Sequence, residues 1–154
     1  TYVDSDRRAA AFFDDRAGIA EIIAQHDRPA SPDITFVGGD YTDALDLPDD
    51  HFDLLVSLYA GFISEHCTRY LRIGGTLLVN SSHGDAAMAS IDPRYELAGV
   101  VLSRSGNYRV DSTDLDTYLI PTKDRPVAVD SLHRTGRGVA YTRSPFAYLF
   151  TRTA

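Results

Sequence analysis

The stretch from Phe52 to Ser82, FDLLVSLYAGFISEHCTRYLRIGGTLLVNSS, contains two apolar runs that each have the length of a strand. The first run is FDLLVS at Phe52–Ser57, and the second is TLLV at Thr76–Val79. Nearly continuous apolar runs of this kind are typical of central parallel strands that are covered on both faces. The residues between the runs predict a short helix over Ile63–Leu71, closed by a Gly-Gly pair. This stretch therefore predicts a strand–helix–strand unit with two parallel strands.

The rest of the chain continues the alternation of strands and helices. Strands that alternate with helices indicate a layered α/β domain with a mostly parallel sheet. In such sheets ligands bind beyond the carboxyl ends of the strands, so polar residues that follow a strand are the candidate site residues. The further predicted elements are a strand at Thr1–Val3, a helix over Arg7–Gln25 that Gly18 divides or kinks, a loop at Asp27–Pro32, a strand at Ile34–Val37, a helix over Asp85–Ser90, and strands at Val100–Leu102, Tyr108–Val110 and Phe146–Phe150.

Composition and charge exclude several classes of protein. The 154 residues carry 15 basic and 22 acidic side chains, a net charge of −7, which argues against a nucleic-acid coat or a polybasic membrane anchor. The longest uncharged stretches, Leu54–Ser64 and Ile73–Gly84, are shorter than the roughly 18–20 residues that cross a bilayer. The single cysteine, Cys67, rules out an intramolecular disulfide. We therefore expect a cytoplasmic protein with neither nucleic-acid nor membrane partners.

Three segments of the chain resemble the class I S-adenosylmethionine-dependent methyltransferases. They are YVDSD at residues 2–6, ITFVGGDYTDALDLPDDHFDLLVS at residues 34–57 and YLRIGGTLLVNSS at residues 70–82. The resemblance implies a Rossmann-like three-layer α/β sandwich, with a mostly parallel sheet and an antiparallel C-terminal strand. It also implies a single methyltransferase-like domain over residues 1–154.

The resemblance implies a set of cofactor-binding residues for S-adenosylmethionine. In that family an acidic residue at the end of the second strand holds the ribose hydroxyls, and Asp4, followed by Ser5, matches it. A further acidic residue in that family lies near the adenine amino group, and the residue beside it contacts the adenine ring. Asp40 and Tyr41 match these two residues. Ser57 closes the strand whose exit lines the methyl-transfer site. The alternatives are a helix N-cap for Asp4, a role that Ser5 or Asp6 can also fill, and an ordinary turn aspartate for Asp40.

The residues expected to bind the methyl acceptor follow the next two strands. Tyr59 lies two residues past Ser57, close to the methyl group if the resemblance holds. His83 is placed where a general base could reach a substrate hydroxyl, and imidazole titrates in the useful range. The candidate catalytic residues are therefore Tyr59 and His83, and the candidate substrate-binding residues are Tyr59, Asn80 and His83. A packed tyrosine and an ordinary loop histidine are the alternatives.

One departure from the family leaves a second class of function open. The family's glycine-rich loop precedes the segment that Tyr2–Asp4 resembles, so we expect the first strand to be missing and the chain to be the C-terminal part of a longer one. Without that loop the chain could be a catalytically silent methyltransferase-like domain that binds a partner or forms a homodimer. A nicotinamide-dependent enzyme is a third alternative, because an acidic residue after the second strand also recognises the NAD ribose.

Other chemistries find little support in the sequence. It contains no G-x-S-x-G nucleophile elbow, no G-x-x-x-x-G-K-[ST] phosphate loop and no H-E-x-x-H pair. The neighbouring His66 and Cys67 would diverge by about 100° on a helix, and His83 and Asp85 have no third ligand, so no metal site is expected. The sequence predicts a methyltransferase that acts on a small molecule, with S-adenosylmethionine as cofactor.

Overall fold

A computed structural model describes residues 1–26 and 32–154, which form two compact units, Thr1–Asp46 and Leu47–Ala154. Each unit has its own sheet, a parallel sheet of two strands in the first and a mixed sheet of five strands in the second. Residues 27–31 of the loop predicted at Asp27–Pro32 lie outside the described residues. Within the described ranges no helix is long and apolar enough to span a membrane.

The first unit packs a helix against its two parallel strands through aromatic rings. Phe13 stacks on Phe36 with ring centroids 5.0 Å apart, and Tyr2 lies 4.6 Å from the Phe13 ring. The strand register places Asp4 opposite Gly38, so the carboxyl ends of the two strands meet at one edge. The elements of this unit are β1 (Tyr2–Asp4), α1 (Arg7–Asp14), α2 (Arg16–Ala24) and β2 (Phe36–Gly38).

The predicted helix over Arg7–Gln25 is divided in the structure, but at Asp15 and not at Gly18. Asp15 leaves the helical conformation, and its carboxylate accepts a hydrogen bond from the Gly18 amide at 3.0 Å. Aspartate is a preferred N-cap because its side chain satisfies a free amide of the first helical turn. Gly18 allows this cap, since a Cβ there would lie 2.4 Å from the Asp15 carboxylate. Asp6 caps the preceding helix in the same way.

The second unit contains a five-stranded sheet in the order β3-β4-β7-β5-β6. The β3–β4 pair is parallel, and the β4–β7, β7–β5 and β5–β6 pairs are antiparallel. Three short 3-10 turns connect these elements at Thr68–Tyr70, Ser82–Gly84 and Leu115–Leu119. The strands and helices are β3 (Phe52–Ser57), α3 (Ile63–His66), β4 (Leu71–Val79), α4 (Asp85–Ile91), β5 (Tyr95–Arg104), β6 (Asn107–Asp111), α5 (Val129–Thr135) and β7 (Ala147–Arg152).

The predicted Rossmann-like sandwich with a mostly parallel sheet is wrong. Three of the four strand pairs in the five-stranded sheet are antiparallel, and β1 and β2 belong to a separate sheet. The difference lies in two features of the sheet topology. The last strand, β7, inserts between β4 and β5, and the segment after β5 returns as a hairpin. Ser105 and Gly106 form its turn with φ values of 52° and 79°, as tight two-residue hairpin turns require.

The stretch Phe52–Ser82 is predicted correctly in part. The strand Phe52–Ser57 is confirmed, but β3 lies at the edge of its sheet, and Leu54 and Val56 are each about half exposed. The predicted helix over Ile63–Leu71 ends already at His66. The glycines expected to close it lie inside β4, which begins at Leu71, a fully buried residue that pairs with Phe52 of β3.

The core of the second unit lies between the sheet and α4. Strands β4 and β7 contribute large side chains, and α4 contributes small ones that let the helix approach the sheet closely. Tyr148 and Phe150 stack with ring centroids 6.3 Å apart at the centre of this core. Its fully or almost fully buried residues include Leu71, Leu77, Val79, Ala86, Ala87, Ala89, Val100, Tyr148 and Phe150.

Leucine-to-alanine substitutions in two neighbouring strands test this core. Leu77→Ala, at a fully buried position of β4, should lower the free energy of unfolding by about 2–5 kcal/mol because it leaves a cavity. Leu54→Ala, at a 53% exposed position of β3, should lower it by about 1 kcal/mol or less. Urea denaturation of both variants measures the difference. Equal losses would show that the core does not lie on the α4 side of the sheet.

Candidate functional site

The carboxyl ends of β3 and β4 bring several of the predicted site residues together. Ser57 lies opposite Val79 in the parallel register, and the Asn80 amide donates to the Ser57 carbonyl oxygen at 3.3 Å. The Asn80 side-chain oxygen accepts from the amides of Tyr59 and Ser82, each at 3.3 Å. Asn80 is buried, and these hydrogen bonds of its side chain tie together the two loops that leave the strands. We call the group Ser57, Tyr59, Asn80, His83 and Asp85 the β3–β4 edge.

Two residues of the β3–β4 edge have a strained backbone conformation. Tyr59 and His83 have φ values of 59° and 58°, in the left-handed region that favours glycine. Each such residue costs about 1–3 kcal/mol and persists only where its surroundings fix it, often at a functional site. Both side chains are exposed, and the Ser82 hydroxyl lies 2.7 Å from His83 Nδ1, where it orients the imidazole ring. The strain thus presents a phenol and an imidazole to solvent at one edge of the sheet.

Asp85 organises this edge, and the sequence reasoning did not find that role. Its carboxylate accepts hydrogen bonds from the hydroxyls of Ser57 and Ser64, both at 2.5 Å, and from the Ser64 amide at 3.0 Å. The residue is only 1% exposed. Burial raises the pKa of Asp85 above its ordinary value, and the hydrogen bonds from Ser57 and Ser64 offset part of that rise. One carboxylate therefore joins the end of β3, the start of α3 and the start of α4.

A sequence signal for Asp85 exists, although it is weak. The segment Asp85–Ile91, DAAMASI, is a helix in which every residue after the first, up to Ser90, is small or apolar. An aspartate that opens such a buried helix has to find hydrogen-bond donors, because a buried charge without partners is very costly. Ser57 and Ser64 supply those donors, and each lies next to an apolar stretch.

The segment that follows α5 packs tightly on the loop between β4 and α4. A Cβ on Gly138 would lie 1.8 Å from the Ser81 carbonyl oxygen, and one on Gly84 would lie 3.0 Å from the Arg137 carbonyl oxygen. Glycine is therefore required at both positions for this close approach. A hydrogen bond of 2.7 Å between His133 Nε2 and the Glu65 carboxylate also holds α5 to α3. These contacts fix the backbone on either side of His83.

The predicted cofactor-binding aspartates lie at one edge of the first unit. Asp4 ends β1, its backbone oxygen accepts from the Gly39 amide at 3.2 Å, and Asp40 follows directly. One Asp4 carboxylate oxygen accepts from the Asp6 amide at 2.8 Å. One Asp40 carboxylate oxygen accepts from the amide and the hydroxyl of Thr42, at 2.9 and 2.8 Å. Since Asp6 caps α1, the helix-capping alternative for Asp4 does not apply.

The remaining predicted residues are placed as follows. Ser5 is exposed beside Asp4, and Tyr41 is half-buried beside Asp40. Among the described residues no group of three or more histidine, cysteine and acidic side chains could hold a metal ion. Burial raises the pKa of Cys67 to about 11, so its thiol stays protonated and unreactive at neutral pH.

Comparisons of the chain with family models, with curated proteins and with solved structures found no match. The chemistry and placement of the site residues are therefore the ground on which a function can be proposed.

The raised pKa of Asp85 predicts a specific pH dependence of stability. As the pH rises above the ordinary value of 3.8, the unfolded chain ionises Asp85 before the folded protein does, so folding loses stability until the raised folded pKa is passed. Asp85→Asn lacks this titration and can still accept from Ser64. The free energy of unfolding of the unaltered protein, minus that of Asp85→Asn, should therefore fall with rising pH above about 4 and then level off.

Urea denaturation across the acidic to neutral range measures this difference. Asp116→Asn is the matched control, because Asp116 is exposed and has no side-chain partner in the described ranges, so its difference should stay flat. A difference for Asp85→Asn that is flat, or that rises with pH, would show that burial does not dominate the environment of this carboxylate.

Proposed function

We propose that the protein is an S-adenosylmethionine-dependent methyltransferase that acts on a small molecule. The observation that carries the proposal is the position of Asp4 and Asp40, at the carboxyl ends of two paired parallel strands. These are the two positions at which the sequence resemblance implies contacts with ribose and adenine. S-adenosylmethionine supplies a methyl group on a sulfonium, a leaving group that is already activated.

The chemistry of the two aspartates suits an adenosine. A carboxylate has two oxygens and about four lone-pair sites, and Asp4 uses one of these sites for the Asp6 amide. It can therefore still accept from the two vicinal hydroxyls of a ribose. Asp40 can accept from an exocyclic amino group, and the ring of Tyr41 offers a surface for stacking on a base. Ser5 adds a hydroxyl beside Asp4.

The charge of the first unit favours this cofactor over a nicotinamide dinucleotide. Residues 1–46 carry ten acidic and four basic side chains. A field of this sign attracts a sulfonium cation and repels the pyrophosphate of NAD. The first unit therefore supports the methyltransferase reading better than the nicotinamide-dependent one that the sequence left open.

On the second unit, taken by itself, the residues of the β3–β4 edge remain the candidates for binding a small polar molecule. Methyl transfer from a sulfonium requires chiefly that the acceptor atom be aligned and separated from water. Asn80 holds the loops of this edge, and Tyr59 and His83 present the exposed polar groups. At this edge the exposed His83 imidazole can take the proton of a bound hydroxyl, Tyr59 can orient the bound molecule, and the buried Asn80 acts by holding the two loops. Ser57 is held by the Asp85 carboxylate and fixes the end of β3.

Binding of S-adenosylhomocysteine tests the proposal. Calorimetry should detect binding to the unaltered protein, and Asp4→Asn should weaken it about tenfold, because a charge-assisted hydrogen bond to a ribose hydroxyl is lost. Asp14→Asn is the matched control, since Asp14 lies exposed at the end of α1 without a side-chain partner in the described part of the chain. It should bind as the unaltered protein does.

Two results would reject the proposal. One is the absence of binding to the unaltered protein, and the other is an equal affinity of the Asp4→Asn and Asp14→Asn variants. Displacement of bound S-adenosylhomocysteine by equimolar NADH would instead favour the nicotinamide-dependent alternative.

A further inference from the structure

The second unit contains a pocket of about 700 Å³ that is separate from the β3–β4 edge. It lies between the C-terminal end of α4, at Ser90 and Ile91, and the loop over residues 119–127. Asp85 stands at the other end of α4, which is about 10 Å long for its seven residues. The pocket therefore has its own lining and shares no residue with the candidate functional site.

Backbone hydrogen bonds hold the wall of this pocket in place. The Thr122 amide donates to the Ala140 carbonyl oxygen, and the Thr142 amide donates to the Ile120 carbonyl oxygen, both at 2.8 Å. These two bonds flank an antiparallel bridge between Pro121 and Tyr141. The loop is thus fastened to the following segment at the point where Tyr141 lines the pocket.

The Tyr141 hydroxyl gives the pocket a buried hydrogen-bond donor whose one polar neighbour among the described residues is the Ser90 hydroxyl. The residue is 5% exposed, and its hydroxyl makes no hydrogen bond of normal geometry with the described residues. The Ser90 hydroxyl, which also lines the pocket, donates to the Ala87 carbonyl oxygen at 2.8 Å, and its own oxygen is the acceptor that the Tyr141 hydroxyl faces. Burial raises the pKa of Tyr141, so the hydroxyl keeps its proton. Buried polar groups are usually well satisfied, and the contact with Ser90 does not reach hydrogen-bond geometry, so this hydroxyl is still short of a well-placed acceptor.

The rim of the pocket carries positive charge in an acidic protein. Lys123, the one lysine of the sequence, and Arg125 both line it. Neither side chain forms an ion pair with any residue that the structure describes, and Asp124 is the single acidic residue of the lining. The rest of the lining is largely apolar and includes Ile91 and Val127. The pocket thus combines two cations, one buried donor and an apolar surface.

We propose that this pocket binds a small amphiphilic carboxylate, with the carboxylate between the Tyr141 hydroxyl and the two cations and the apolar part of the ligand against Ile91 and Val127. The carboxylate is the well-placed acceptor that the hydroxyl lacks, and its charge matches Lys123 and Arg125. Pockets of this volume, mostly apolar with a few convergent polar groups, are typical of small-molecule sites. This site does not depend on the proposed methyltransferase activity.

Three probes with the same six-carbon chain test the ligand class. Titration of the ¹⁵N-labelled protein with hexanoate should shift, in a saturable way, the amide signals of residue 141 and of the non-proline residues in 119–127. Hexylamine and hexan-1-ol should bind at least about tenfold more weakly, because they lack the negative charge. Equal affinities for the three probes, no binding of hexanoate, or shifts confined to other residues would overturn the proposal.

Two variants test the residues of the pocket. Tyr141→Phe should bind hexanoate about fivefold more weakly, while its melting temperature in the absence of ligand stays equal or rises, since a buried hydroxyl without a hydrogen bond of normal geometry is removed. Lys123→Gln should also weaken binding about fivefold and make it less sensitive to salt.

Arg134→Gln is the matched control, because Arg134 is an exposed cation on α5 that does not line the pocket. It should bind hexanoate as the unaltered protein does. If Lys123→Gln and Tyr141→Phe also bind hexanoate with unaltered affinity, the proposal is wrong. If Tyr141→Phe fails to fold, Lys123→Gln and the three probes still decide. Asp4→Asn should leave hexanoate binding unchanged, which separates this test from that of the proposed function.

Discussion

The buried carboxylate of Asp85 is the constraint on which the second unit depends most. At 1% exposure it needs hydrogen-bond donors, and it finds them in Ser57 at the end of β3 and in Ser64 on α3. Since Asp85 itself opens α4, the parallel strand pair and the helix that covers the core share one polar junction. Tyr59 and His83, whose backbone is strained, each lie two residues along the chain from a member of that junction, Ser57 or Asp85. The carboxylate that joins three elements of the fold therefore also sets the geometry of the candidate site.

Helix α4 separates two regions of different chemistry. Its N-terminal end carries the hydrogen-bonded β3–β4 edge, and its C-terminal end borders a pocket with a buried hydroxyl and two cations. Its small, fully buried side chains let it lie close to the sheet, and both regions are built on residues that this core holds. Stability and function are thus linked through the same helix, although the two regions share no residue.

Local sequence patterns predict the elements of this protein better than their arrangement. The strand Phe52–Ser57 and the position of Asp4 and Asp40 at strand ends follow from apolar runs and the polar residues after them. The sheet order does not, because β7 pairs with β4 and β5 only through contacts between residues far apart in the chain. Asp85 and Tyr141 escaped sequence reasoning for a related reason: their roles come from burial, which a local pattern does not show.

Amide hydrogen exchange with and without S-adenosylhomocysteine tests the central claim, that the strand ends of the first unit recognise the adenosine of a methyl donor. A ligand held by Asp4 and Asp40 should slow exchange at residues 38–43, because it stabilises the turn after β2 against local opening. Residues 119–127 should exchange at an unchanged rate. Unchanged exchange at residues 38–43 at saturating ligand, or slowing confined to residues 119–127, would contradict the claim.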